Sequence, residues 1–163
     1  MTDGREPWRS APLLEWAGRL CDSFRHWTGR ELVGADSGAE QRADALFNLP
    51  AVVVSHGLEA DPLLNYGNRA ALRLWELEWR ELIGMPSRLT AETPNRDTRT
   101  RALQAVERDG FMTDYAGIRI SARGRRFRIS GAVIWNVIDR HGDRLGQAAT
   151  FSNWEYLGDG TPP

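Results

Sequence analysis

Apolar residues recur along the chain in two rhythms. Leu13, Trp16, Ala17, Leu20, Phe24 and Trp27 fall three and four residues apart, which places them on one face of a helix. Ser10 and Pro12 mark its start, because a proline in the first turn gives up only an N–H that has no helical partner. Gly29 marks its stop. A polar stretch at 34–38 separates this helix from the rest, so the pattern sets it apart as an appendage. A short helix near 43–47 ends at Pro50, residues 51–56 read as a buried strand, and 63–66 read as its hairpin partner. At Asn68, a good N-cap, the rhythm becomes helical again, with Ala71, Leu74 and Trp75 on one side. Gly84 and Pro86 close that region. Residues 94–110 form the next helix, capped by Thr93 or Asn95, with Ala102, Leu103 and Val106 as its stripe.

The second half alternates with the period of a strand. Ile118 and Ile120 flank Arg119, and Phe127, Ile129, Gly131, Val133, Trp135 and Val137 alternate with their neighbours. Arg123-Gly124 suits a two-residue hairpin turn, which pairs Ile120 with Phe127 and Ile118 with Ile129. In that register Arg119 stands opposite Arg128, and Arg126 opposite Ser121, all on the face away from the core. Residues 139–143 form a second turn, 145–154 a last strand rich in small residues, and 158–163 a frayed tail. Strands divided by a helical insert, with no strand–helix–strand alternation, imply an α+β domain: a five-stranded antiparallel sheet with helices on one face. The expected division is an N-terminal amphipathic helix and linker over 1–38, a domain over 39–157, and the tail.

Composition narrows the class. The length of 163 residues fits one domain, 41% hydrophobic and 26% charged. The longest apolar run, 51–54, is too short to span a bilayer, and the polar N-terminus is no signal peptide. A single cysteine, Cys21, forms no intrachain disulfide, so a cytoplasmic home is expected. A net charge of −1 offers no global field for nucleic acid or an anionic membrane, and neither is expected as a partner. All 21 basic residues are arginine. That fits either forked recognition of anions or codon bias in a GC-rich genome.

Local motifs carry a resemblance. Leu64-Asn65-Tyr66-Gly67-Asn68-Arg69-Ala70-Ala71 resembles the PAS element in which a strand runs into an asparagine-capped helix, and Glu81-Leu82-Ile83-Gly84 resembles the turn that follows. More closely, the chain is similar to bacterial members of the MEKHLA family, a PAS-like group. The matching residues are Val54-Ser55-His56-Gly57 with Asp61-Pro62, and Pro86-Ser87-Arg88-Leu89-Thr90-Ala91-Glu92 with Asn95-Arg96. Gly117-Ile118-Arg119-Ile120-Ser121, Gly146-Gln147-Ala148-Ala149-Thr150-Phe151-Ser152 and Trp27-Thr28-Gly29-Arg30-Glu31-Leu32 match too. The resemblance implies a PAS-like fold, with a sensory or interaction role and no established reaction. The homeodomain and leucine zipper of the plant members do not occur here, so DNA binding does not transfer.

Candidate chemistry is sparse. His26, His56 and His141 are dispersed and one cysteine builds no zinc site, so no metal is expected. The resemblance places a haem ligand on the helix at 94–110, which holds no histidine, and a flavin-reactive cysteine over the sheet, where none occurs. Haem and a cysteinyl-flavin adduct are therefore not expected, and the cofactor is unknown. Ser55-His56 beside Asp61 has the residue types of a nucleophilic triad, but neighbours on a strand face opposite ways. No catalytic residue is assigned. Ligand contacts are expected from His56, Tyr66 and Gln147, and from Trp135 as a pocket wall. Arg88, Asn95 and Arg96 are candidates for an anionic group, against a loop simply held by caps and an internal Arg–Glu pair. Arg119, Arg126 and Arg128 form the candidate interaction face, for carboxylates of the N-terminal helix, a homodimer mate or a signalling partner. Three roles compete: a non-enzymatic sensor for a small organic ligand, an interaction or dimerisation module, and a small-molecule enzyme.

Overall fold

The computed structural model describes residues 6–34 and 38–158. The tail beyond 158 and most of the expected linker lie outside these residues. After a 3-10 turn (Pro7–Arg9) comes helix α1 (Ala11–Thr28), which ends where Gly29 turns left-handed at φ 73. Then follow α2 (Ala39–Phe47), strands β1 (Val52–His56) and β2 (Leu64–Gly67), helices α3 (Arg69–Trp75) and α4 (Trp79–Leu82), a 3-10 turn (Ser87–Thr90), and α5 (Thr93–Asp109). Strands β3 (Phe111–Ile120), β4 (Arg126–Ile138), β5 (Arg144–Phe151) and β6 (Asn153–Tyr156) complete the order.

The fold is α+β, with an antiparallel sheet in the order β2-β1-β5-β4-β3. A sixth strand joins the expected five. The chain breaks at Ser152, and β6 pairs with residues 127–130 of β4 while β5 pairs with 133–138.

Two local features overturn the expected register. Gly124 donates its N–H to Ser121 O at 3.0 Å, and the Ser121 N–H donates to Arg125 O at 2.9 Å. With Gly124 at φ 86, this is the three-residue loop that ends in a left-handed glycine bulge, in place of the two-residue turn. Ile120 therefore faces Arg126, Arg119 faces Phe127, and Ile118 faces Arg128. A one-residue slip exchanges the faces, so Arg119 turns inward. The second feature is Gly131, at φ 63. It adds a residue to β4 between the pairs Gly117–Ile129 and Tyr115–Ala132. Phe127, Ile129, Ala132 and Ile134 consequently share one core, while Val133, Trp135 and Val137 belong to the other. The unbroken alternation expected through Trp135 does not exist.

Both faces of the sheet are covered. Helices α3 and α5 lie on the first face and α1 with α2 on the second. Phe24 meets Trp135 edge-on at 5.0 Å between ring centroids. Trp16 Nε1 donates to Ser55 Oγ at 2.9 Å, Trp27 Nε1 donates to Asn136 O at 2.8 Å, and the Ile138 N–H donates to Ser23 Oγ at 2.8 Å. Leu20 and Phe24 are buried here, and each contributes roughly 1.5–3 kcal/mol. The sheet arginines play no part. Asp22 pairs with Arg42 of α2 and Glu15 with Arg19 of its own helix, because α1 lies over Val133, Trp135 and Val137.

Trp135 is fully buried between β4 and α1. Trp135→Ala should cost about 3–5 kcal/mol in denaturant unfolding. It should also raise hydrogen exchange in α1 before α5. Exchange rising first in α5 would place the ring on the wrong face.

Candidate functional site

Between the first face of the sheet and helices α3 and α5 lies a partly open cavity of about 60 Å³. Its polar lining comes from distant parts of the chain: His56 ends β1, Arg99 lies on α5, Tyr115 and Arg119 on β3, and Gln147 on β5. Leu64, Leu103, Ile129 and Ile134 supply apolar wall. An outer groove of about 350 Å³ shares His56, Ser87, Arg99, Leu103 and Gln147 with the cavity, so the two adjoin.

Several polar groups here lack protein partners. The His56 ring accepts no proton from a neighbour. Its Nδ1 lies 2.9 Å from the Gly57 carbonyl, which makes Nδ1 the donor and leaves Nε2 a bare, buried acceptor. Trp75 Nε1, also in the lining, is buried without an acceptor. Arg99 is 8% exposed and donates from Nη2 to Ser87 Oγ at 2.7 Å. Arg119 is equally buried at 8%, donating to Ile118 O at 2.9 Å and to Tyr115 Oη at 3.3 Å. A Cβ on Gly117 would come within 2.7 Å of Tyr115 Oη and 2.9 Å of Arg119 Nη1, so the absent side chain lets these two groups close over the strand. Among the described residues neither arginine pairs with a carboxylate. Burial, then the charge of Arg119, push the Arg99 guanidinium down to about 10, so it stays charged at neutral pH.

The expected site residues disperse. His56 and Gln147 line the cavity. Gln147 Nε2 is already engaged, donating to Leu103 O at 2.9 Å and to Asn136 Oδ1 at 3.1 Å. Tyr66 pairs with Ser55 on the opposite face, where its ring meets Trp79 at 5.7 Å. Its hydroxyl is buried and unpartnered, away from the cavity, and burial raises its pKa. Trp135 lies under α1 and is no pocket wall. Arg88 is exposed and paired with Asp61 at 3.2 Å, and Arg96 Nε donates to the Arg88 and Ala91 carbonyls. The loop is thus held internally, through Arg–Asp rather than Arg–Glu pairing. Asn95 lies at a separate surface hollow beside Arg119 and Arg128. The proposed interaction face is divided: Arg119 is inside, Arg126 pairs with Glu92 at 2.8 Å, and Arg128 is exposed.

Sequence reasoning missed Arg99, although a signal was present. Arg99 precedes Ala102, Leu103 and Val106 by three, four and seven residues, which puts an arginine on the apolar stripe of α5. Cys21 lies on the buried face of α1, in the other core, where burial pushes its thiol up to about 11. Among the described residues no cluster of three metal-ligating side chains occurs, and no helix is long and apolar enough to cross a membrane.

This architecture is that of the PAS and light-oxygen-voltage domains. The PAS domain of a protein from Colwellia psychrerythraea superimposes with a TM-score of 0.61 at 17% identity, over 72% of this chain and 95% of that one. An RNA-binding light-oxygen-voltage receptor gives 0.63 at 16% identity, over 76% of this chain and 36% of the receptor. The chain belongs to the MEKHLA domain family, whose model matches residues 14–156. Among curated proteins it is similar to the homeobox-leucine zipper protein HOX29 of Oryza sativa subsp. indica, 27% identical over 154 residues. It is also similar to ATHB-15 of Arabidopsis thaliana, 24% identical over 146 residues. The match spans 91% and 89% of this chain but 17% of each plant protein. Relatives named for a homeobox lend no support to the expectation that nucleic acid is excluded as a partner.

Burial, together with Arg99 and Arg144, holds the His56 imidazolium below its ordinary pKa of 6.5, against the Gly57 carbonyl and Glu59, which favour the charge. The unfolded chain then binds the extra proton first, so stability is complete above the ordinary pKa and falls as pH drops below it. Thermal melts from pH 7.5 to 5 should show this decline, and His56→Gln should flatten it relative to the parent chain. Parallel curves would remove His56 as the titrating group.

Proposed function

We propose that this MEKHLA domain is a non-enzymatic sensory module that binds a small organic molecule in this cavity and reports through α1. The observation that carries this reading is a cavity against the sheet whose wall holds two buried groups with no protein partner, His56 Nε2 and Trp75 Nε1, beside two buried arginines that pair with no carboxylate among the described residues. Native cores leave few such groups unsatisfied, and the exceptions call for an unseen partner. A hydrolytic reading lacks its base, because Ser55 bonds Trp16 on one face of β1 while His56 lines the cavity on the other.

The route to α1 is short. Gln147, in the cavity lining, donates to the Asn136 side chain, which itself donates to Val106 O at the end of α5 at 3.0 Å. The Asn136 carbonyl accepts from Trp27 near the end of α1. In this reading residues 1–38 are the output element and 39–157 the sensing body, with the output passed to a partner.

Native mass spectrometry of the purified full chain tests the proposal. A small-molecule adduct is expected, lost on denaturation, and its removal should change hydrogen exchange in α1 at Trp27 and its neighbours. A bare chain, whose α1 exchange is unaffected by any added small molecule, would overturn the sensory reading.

A further inference from the structure

The chemistry of the cavity narrows what it would hold. A cavity of about 60 Å³ holds more than one water but only a small molecule, on the order of the size of lactate. Arg99 and Arg119 both enter the lining with most of their N–H donors unused and, among the described residues, no carboxylate in ion-pair contact, Asp61 acting on Arg99 only from a distance. A buried cation left unpaired is among the most costly arrangements in a core, and two in one cavity repel each other as well. Arg88, Arg126 and Arg144 all have carboxylate partners, at 3.2, 2.8 and 3.0 Å. These three surface arginines near the site are thus neutralised, whereas the buried two are not.

An anion between Arg99 and Arg119 removes this penalty and matches their forked donors. The remaining wall decides its class. Leu103, Ile129 and Ile134 offer apolar surface that a bare phosphate or sulfate has nothing to cover. His56 Nε2 offers an acceptor, which requires a donor on the ligand and repels a carboxylate oxygen. We infer that the ligand is a short hydroxy-carboxylate, its carboxylate held by Arg99 and Arg119, its hydroxyl directed to His56 and its carbon chain laid against Leu103, Ile129 and Ile134. This rests on the cavity being the sensory site.

The test uses the full chain with lactate, propionate, lactamide and inorganic phosphate, read by thermal shift and calorimetry. At about a hundredfold excess over Kd, lactate should raise the melting temperature by roughly 5–10 °C. Propionate should do so less, and lactamide and phosphate not at all. Arg99→Met should weaken lactate binding on the order of 100-fold while melting no lower than the parent without ligand. Arg119→Met is run in parallel and keeps the test open if either variant does not fold. Lactamide acting as well as lactate would overturn the anion and leave the sensory reading intact. So would a native adduct identified as a neutral compound. A response to phosphate alone would overturn the carboxylate, and equal responses to propionate and lactate would overturn the hydroxyl. Undiminished lactate binding in both variants would remove the arginine clamp. No response to any probe together with no native adduct would sink both the inference and the reading beneath it.

Discussion

Gly131 sits in β4 at the point where its partner changes from β6 to β5, with a φ of 63 that side chains rarely tolerate. The extra residue it inserts is matched across the ladder by a second irregularity between Met112 and Tyr115, where Asp114 also turns left-handed at φ 56. The two offset each other, so β3 and β4 stay paired on both sides while the phase of β4 is reset. That reset gives Ile129, Ala132 and Ile134 to one core, and Val133, Trp135 and Val137 to the other. Without it α1 would lose the Trp135 ring against which Phe24 stands, and the cavity would lose the Ala132–Ile134 wall. A two-faced sheet of this kind needs each strand's alternation to be apolar on both sides, and β4 provides that only because its phase changes partway along.

Position, rather than count, makes the arginines informative. Of 21 in the chain, most that the structure describes stand in water or beside a carboxylate, and such exposed pairs contribute little. Arg99 and Arg119 differ because α5 and β3 carry them inward. The three-residue loop at Gly124 turns Arg119 to the face of Phe127, and Gly117 leaves room for it to meet Tyr115. A loop longer by one residue than the expected turn therefore decides whether this charge is solvated or buried.

The sequence made most of the elements legible because their signals are local. The stripe of α1, the Gly29 stop and the Asn68 cap each rest on a few neighbouring residues. The Asn68 side chain accepts from the Ala71 N–H at 3.1 Å as its cap role requires, and also ties β1 through the Val53 N–H at 3.0 Å. What was not legible depends on counting across a turn. Arg123-Gly124 supports both a two- and a three-residue loop, and the hydrophobic alternation of 118–120 with 127–129 fits either until burial is known. The Gly131 bulge has the same character, since a glycine in a strand signals a bulge without fixing one. The site suffered most, because faces are what those errors exchange. Trp135 and Arg119 were placed on the wrong side by these two errors, and Tyr66 on β2 independently of them, whereas His56 and Gln147, which pair with each other across β1 and β5, line the cavity.

In the sensory reading, the same sheet that separates the two cores must also connect them, and its apolar contacts are poorly suited to that. Burial is non-directional: Phe24 on Trp135 gains nearly the same free energy across small displacements. Hydrogen bonds between buried groups are directional, and losing one partner leaves the other unsatisfied at a cost comparable to the bond itself. Asn136 is buried and engages Gln147, the end of α5 and Trp27 of α1 at once. Gly110, at the junction of α5 and β3, meets the Trp27 ring so closely that any side chain there would displace it. A ligand that draws on Gln147 or shifts α5 through Arg99 therefore alters Asn136, a polar group that links the cavity side to the end of α1 through Trp27. Coupling of this kind needs only a small difference in how the two states satisfy Asn136, and the small size of the cavity, about 60 Å³, lets occupancy be felt by the side chains around it.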